Sequence, residues 1–449
     1  VIKIEGEPQI RVGLISGASD ARLTLQGECR LAGGAIVKQG DYTATAEGGA
    51  VRLSGGASFQ AREIELVPID FDSSSIVVHD VTIGVDFHWQ RKESQRFQGS
   101  IKLINREGGV VVINELPLES YLVSVISSEM SASCPEELLR AHAIVSRSWL
   151  LAQLTASPDM RPDSPVTSEG ASREQIKWYD RESHSDFDVC ADDHCQRYQG
   201  ISKAFSKGAF DAIAATRGHA LVWGDEICDA RYSKSCGGMT EVFRAAWEEK
   251  QVAYLPSIYD GAQFPAGYGL PLRDESNATK WIMTSPAAYC NAAERELLSR
   301  ILPGFDQETA DFYRWEVVYS SDELREILRA RLGIDFGNFI TLDPVERGES
   351  GRLVRLRIRG DKDDLTIGKE LEIRRALSRS HLYSSAFVVR SEPHPVMGFP
   401  QRYRLIGAGW GHGVGLCQIG AAVMADQGHA HREILNHYFR GASLSRLYS

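Results

Sequence analysis

The stretch Asn114–Leu154, NELPLESYLVSVISSEMSASCPEELLRAHAIVSRSWLLAQL, places an acid on the apolar side of a helix that has to stop abruptly. Pro117 suits the first turn of that helix, where no amide partner is lost. From there Leu118, Leu122, Val125 and Ile126 recur at helical spacing, and Glu129 continues their stripe. A carboxylate on the buried side of a helix is costly unless it is paired or kept protonated. Ser133-Cys134-Pro135-Glu136 then offers an N-cap, a proline and a capping-box acid for a second helix. In that helix Leu138, His142, Val145 and Trp149 line one face, with Arg147 close by. Glu129 is either a proton donor with a pKa raised by burial or one end of a Glu129–Arg147 salt bridge inside a core. Spacing alone leaves both open.

The chain has 449 residues, a length that suits two or three globular domains. Its net charge of −10 and pI of about 5.7 argue against a nucleic-acid binder and against an anionic membrane surface. No apolar run approaches the ~20 residues of a membrane helix. The sequence does not open with Met or with a basic-then-apolar leader, so a mature or trimmed form is expected. Eight cysteines in a chain this long are not a disulfide scaffold, though their even number permits bridges.

The expected fold class is α+β. Residues 1–96 are rich in Gly, Val, Ile and Thr, with strand-like runs at Gln9–Ile15, Ile64–Val67 and Ser75–Val78, and form a β-rich N-terminal module. FQGSIKLINREGGVVVINELP reads as a hairpin turned at Gly108-Gly109 that feeds the first helix, so the module is expected to scaffold that helix rather than bind substrate. Residues 97–243 form the first part of a second region. Residues 155–175 within it are a polar, proline-marked loop, and Ala212–Leu221 is a helix closed by Gly218 and followed by a strand. Residues 244–405 are a second lobe or insertion. They carry a capped amphipathic helix from Ser320 to Leu328 and an alternating strand from Leu353 to Gly360. Residues 406–449 complete the region, and no internal repeat is evident.

Three further stretches carry chemistry. Gly407–Gln418, GAGWGHGVGLCQ, sets five glycines around Trp410 and His412. Glycine permits positive φ and close backbone approach, Trp410 offers a flat apolar face for a sugar ring, and His412 can donate to a hydroxyl. The plain alternative is a glycine-rich turn with both side chains merely packed. In Asp188–Gln196, Cys190, His194 and Cys195 are soft ligands suited to zinc, with Cys236 a ligand from elsewhere in the chain. A Cys190–Cys195 disulfide is the competing reading. Tyr232-Ser233-Lys234-Ser235 before Gly237-Gly238 is not a hydrolase elbow, which needs Gly-x-Ser-x-Gly. HExxH is absent too, which weighs against a zinc hydrolase.

NELPLESYLVSVISSEM and PEELLRAHAIVSRSWL, then DVC…HCQRYQG, ATRGHALVW, RYSKSCGGMTE and GAGWGHGVGLCQIGAAVMADQGHAHREILNHYF, closely resemble the SpoIID/LytB family, in the family's order. The resemblance implies a bilobed catalytic region with a substrate cleft in a peptidoglycan lytic transglycosylase. Its catalytic acid, in the EM pair, maps onto Glu129, with Arg147 as the group that positions it. It also implies substrate contacts from His142, Tyr198, Ser233, Trp410, His412 and Gln418, although His142 stands where the family usually has Gln. A zinc near Cys190 and Cys195, glycan strands as substrate, an extracytoplasmic location and a cell-wall amidase as partner are implied in the same way. A non-catalytic, glycan-binding amidase enhancer is the alternative function.

Overall fold

A computed structural model describes residues 3–84, 90–131, 133–155, 166–168, 173–179, 184–192, 195–202, 207–292, 295–302, 311–338, 340–396 and 398–449. His194 and the prolines of the 155–175 loop lie outside the described residues. The fold is mixed α/β, strand-rich and built on several sheets. Two compact units divide it. One takes residues 1–133, 181–219 and 446–449, and the other takes 134–180 and 220–445.

The first unit holds a seven-stranded sheet in the order Val189–Cys190, Gln9–Ala18, Gly109–Pro117, Ser100–Arg106, Glu63–Pro68, Cys29–Arg30 and Ile36–Val37. A six-stranded sheet, built from residues 20–97, accompanies it. The alternation in Asp20–Gln26 buries Ala21, Leu23 and Leu25 and exposes the residues between, apart from half-buried Thr24. The expected hairpin is present, running from Ser100↔Glu115 to Arg106↔Gly109. Its two turn residues are Glu107 and Gly108, with φ of 51° and 83°, one position earlier than the glycine pair suggested. Positive φ at both is the twist that closes a tight hairpin. Gly109 instead permits a close approach of backbones, since a Cβ there would stand 2.7 Å from Gly17.

The strand Gly109–Pro117 runs straight into helix α1, Leu118–Glu129. Pro117 is the N-cap residue rather than part of the first turn, and it supplies no side-chain cap. The open amides are met instead by the residues that lead into the neighbouring strand, where Gln9 stands opposite Pro117. Leu118 N–H donates to the Pro8 carbonyl at 2.9 Å, and Glu119 N–H donates to Glu7 Oε1 at 2.8 Å. The N-terminal strand therefore anchors the start of α1.

The second unit contains α2, Glu136–Thr155, and a five-stranded sheet of Val166–Ser168, Glu174–Ile176, Asp364–Gly368, Leu353–Arg359 and Thr341–Arg347. A three-stranded sheet of Arg314–Ser320, Pro400–Ala408 and Phe387–Pro393 belongs to it as well. Trp315, Leu328, Leu356, Ile358, Phe387 and Leu405 share its main core. The helix Ser321–Leu332 starts on a full capping box, Ser320 with Glu323, and ends on Gly333 at φ 70°.

Gly109→Ala is expected to cost about 1–3 kcal/mol of stability through overpacking against Gly17. Gly108→Ala, in open space but at positive φ, should cost only about 1 kcal/mol. Denaturant unfolding of the two variants checks the order, and the reverse order would refute the close-approach role of Gly109.

Candidate functional site

Helix α1 is buried almost all round, so its polar groups need partners. The segment after Cys195 supplies several. Tyr121 donates its hydroxyl to Gln196 Oε1 at 3.2 Å, and Gln199 N–H donates to Ser124 Oγ at 3.2 Å. Tyr198 stacks on Tyr121 at 5.1 Å and donates its hydroxyl to Asn114 Oδ1 at 2.5 Å. Asn114 in turn donates to the Gln98 and Ser100 carbonyls, which binds helix, hairpin and segment into one network. Tyr198 is only 1% exposed, and burial pushes its hydroxyl well up, so it stays a donor spent on Asn114 rather than a group free for substrate. Glu129 is the last residue of α1 and is itself buried, at 9% exposure.

Cys190 and Cys195 stand on the edge of the same unit. Cys190 pairs with Gly13 of the first strand, and Cys190 N–H points to Cys195 Sγ at 3.5 Å. His184 joins them, with Nε2 3.9 Å from Cys195 Sγ, and the three ligand atoms lie within 4.8 Å of one another. Two sulfurs and an imidazole nitrogen form a donor set that fits zinc. No disulfide joins any two of the eight cysteines, all of which lie among the described residues. Sequence reasoning misses His184, although a histidine six positions before Cys190 is the available signal.

In the second unit the glycine-rich loop wraps a buried arginine. Gly409, Gly411, Gly413 and Gly415 all have φ between 74° and 92°. A Cβ on Gly413 would stand 2.4 Å from the Arg352 guanidinium, and one on Gly407 would strike the Trp315 ring at 2.1 Å. Arg352 is fully buried and donates to the Gly411 and Cys236 carbonyls at 3.1 Å and to Ser350 Oγ at 2.9 Å. Trp410 is half-buried between rings, 4.2 Å from Tyr383 and 4.8 Å from Phe312. His412 Nδ1 accepts from Val414 N–H at 3.0 Å, and the Trp247 ring lies 4.9 Å away. Burial, with Arg231, Arg352 and Arg374 nearby, holds this imidazole well below its usual range, so it is neutral.

The parallel pair Tyr232–Ser233 and Leu416–Cys417 sets the SKSCGG turn beside this loop, and Ser235 and Trp410 exchange backbone hydrogen bonds. His142, fully buried in α2, has Nε2 2.9 Å from the Gln418 amide and Nδ1 3.1 Å from Ser146 Oγ. His142 and Gln418 are thus brought together, each occupied by the other. Arg147 is also fully buried in α2. Ser233 is buried, and its hydroxyl has no hydrogen-bond partner among the described residues. Cys236 does not join the Cys190 group. It gathers instead with Asp260, Cys290 and Cys417, because the SKSCGG turn lies beside Cys417.

Residues 106–223 match the family model described as stage II sporulation protein, and residues 241–415 match a domain of unknown function (DUF8618). A stage II sporulation protein D of Bacillus amyloliquefaciens is 22% identical over 340 residues, covering 74% of this chain and 75% of the relative. One from Bacillus subtilis (strain 168) is 20% identical over 334 residues, covering 74% of this chain and 76% of the relative. An amidase enhancer of Bacillus subtilis (strain 168) is 24% identical over 326 residues, covering 72% of this chain but only 40% of that longer protein. A strand-rich α/β chain with this domain is thus similar to sporulation proteins and to an amidase enhancer. The match over residues 106–223 and these relatives support the SpoIID/LytB resemblance that the motifs carry.

Burial, helped by Lys234, pushes His142 down to about 3, below the ~6.5 of an unfolded histidine. The unfolded chain therefore takes up a proton that the folded chain refuses. The contribution to stability is whole above pH ~6.5 and is lost as pH falls towards 3. His142→Gln, which can still bond Gln418, should remove about 2 kcal/mol of the stability loss between pH 7 and pH 5. Denaturant unfolding at both pH values checks this. An unchanged pH dependence would show that His142 is protonated inside the fold.

Proposed function

We propose that the chain is a peptidoglycan lytic transglycosylase acting through Glu129. The observation that carries the reading is a buried carboxylate closing α1, inside the part of the chain that matches the sporulation-protein family. Glu129 protonates the glycosidic oxygen between MurNAc and GlcNAc, and the C1–O bond breaks. The resulting carboxylate then takes the proton of the MurNAc C6 hydroxyl as that oxygen bonds to C1, giving a 1,6-anhydro end and restoring the acid. No water is consumed, and one carboxyl suffices, unlike hydrolysis with two flanking acids. Screening the reacting centre from bulk water favours the internal hydroxyl over hydrolysis.

Trp410, half-buried beside Tyr383, is the proposed stacking surface for a sugar ring. Zinc is proposed at His184, Cys190 and Cys195, where it cross-links the chain and takes no part in proton transfer. The substrate is the glycan strand, including strands stripped of stem peptides by amidases, and the location is extracytoplasmic. The alignment with an amidase enhancer over 72% of this chain supports a second reading, glycan binding that stimulates a cell-wall amidase.

Glu129→Gln keeps shape and hydrogen bonding but cannot cycle a proton. It should bind glycan strands and fold normally while losing ~100- to 10,000-fold in anhydro-product formation. Mass spectrometry of soluble products from peptidoglycan, with and without amidase pretreatment, measures this. Near-normal turnover would overturn the catalytic assignment, and amidase stimulation retained by the variant would favour the second reading.

A further inference from the structure

We propose that Cys236, Cys290, Cys417 and Asp260 form a second, structural zinc site, separate from His184, Cys190 and Cys195. The four side chains are buried, belong to one compact unit and offer ligand atoms that lie within 4.8 Å of one another. Each comes from a different piece of chain. Cys236 lies in the SKSCGG turn and Asp260 follows the Met239↔Tyr259 bridge. Cys290 follows the helix Glu275–Met283, and Cys417 is the N-cap of the helix Gln418–Asp426. Cys236 Sγ and Cys290 Sγ are 3.6 Å apart. Two thiolates on one tetrahedral zinc, each at ~2.3 Å from the ion, are expected ~3.8 Å apart.

The carboxylate argues for an ion more strongly than the sulfurs do. Asp260 is fully buried. Tyr438 donates to Oδ1 at 2.7 Å and Cys290 N–H donates to Oδ2 at 3.1 Å. The only basic side chain within 4.0 Å of it among the described residues is His437, whose Nε2 stands at 4.0 Å, beyond hydrogen-bonding reach. A buried carboxylate normally has a paired cation or a metal. Three sulfurs around it supply the rest of a closed tetrahedral set, whereas a Cys236–Cys290 disulfide would leave Asp260 and Cys417 unexplained. The outer contacts also suit a metal centre. Cys236 N–H donates to Cys417 Sγ at 3.2 Å, and Tyr438 orients Asp260. Gly420 leaves room for the carboxylate, since a Cβ there would stand 2.6 Å from both of its oxygens.

The positions also suggest what the ion does. Asp260 and Cys290 lie inside the 241–415 domain match, and Cys236 and Cys417 lie just outside its two ends. One zinc would tie the domain to the family motifs that flank it.

The test uses the full chain carrying Cys190→Ser and Cys195→Ser, with metal content read by plasma mass spectrometry and ligation by zinc X-ray absorption. One equivalent of zinc with three sulfurs and one oxygen is expected, and adding Asp260→Asn or Cys290→Ser should remove it. A Cys190→Ser/Cys195→Ser protein without metal would overturn the proposal. Should that variant fail to fold, the wild-type chain answers by peptide mapping after alkylation. More than one equivalent of zinc, with Cys236, Cys290 and Cys417 alkylated only once a chelator is added, supports the site. A Cys236–Cys290 disulfide refutes it.

Discussion

A loop that alternates glycine with larger residues cannot satisfy its own carbonyls, and inside a protein those carbonyls must be met. Arg352 meets them. Its guanidinium sits without solvent contact in a space that only glycine at 409 and 413 leaves open, and it bonds the carbonyls of both Gly411 and Cys236. Burial pushes this arginine down while Glu370 and Glu241 push it back up, so the charge is held by neighbours rather than by water. Glu241 is itself fixed by Ser350, through both its N–H and its hydroxyl. Through the Cys236 carbonyl the same buried cation also holds the SKSCGG turn against the glycine loop. Removing one member of such a network leaves the other charge uncompensated, which is why buried pairs are costly to break.

The other unit solves a comparable problem without a central charge. Helix α1 has no solvent face to carry its polar side chains, and tyrosine, glutamine and asparagine groups from the hairpin and the 195–202 segment take that role. A chain segment held at its Cys190 end by the first strand is thereby laid against the helix that ends in Glu129. Precision at the acid depends on packing some distance from it.

Local chemistry is the legible part of the sequence. The 100–117 hairpin, the Ser320 capping box and the alternation of Leu353–Arg359 are written in neighbouring residues, and each is found in place. The hairpin turn is displaced by one residue because Gly109 serves the approach of Gly17, and spacing cannot distinguish those two uses of glycine. Arg352 gives no signal, since its role depends on carbonyls 59 and 116 residues away. Cys236 is legible as a candidate ligand but not with the neighbours the structure gives it, because Cys290 and Cys417 have no shared spacing with it. Trp410 and Tyr198 are expected as substrate contacts, with a packed Trp410 as the alternative. The rings packed on them are set by tertiary structure, and they leave Trp410 half covered and Tyr198 enclosed.

Glu241 N–H donates to the Gly413 carbonyl at 2.8 Å, and Glu241 and Val414 form a parallel bridge. The first and last residues of the 241–415 domain match are therefore neighbours in space. A segment whose two ends meet can be lengthened, exchanged or removed in evolution without moving the chain on either side. The domain is in that sense a graft, joined to the enclosing fold at that closed pair of ends and through the bond from Arg352 to the Cys236 carbonyl.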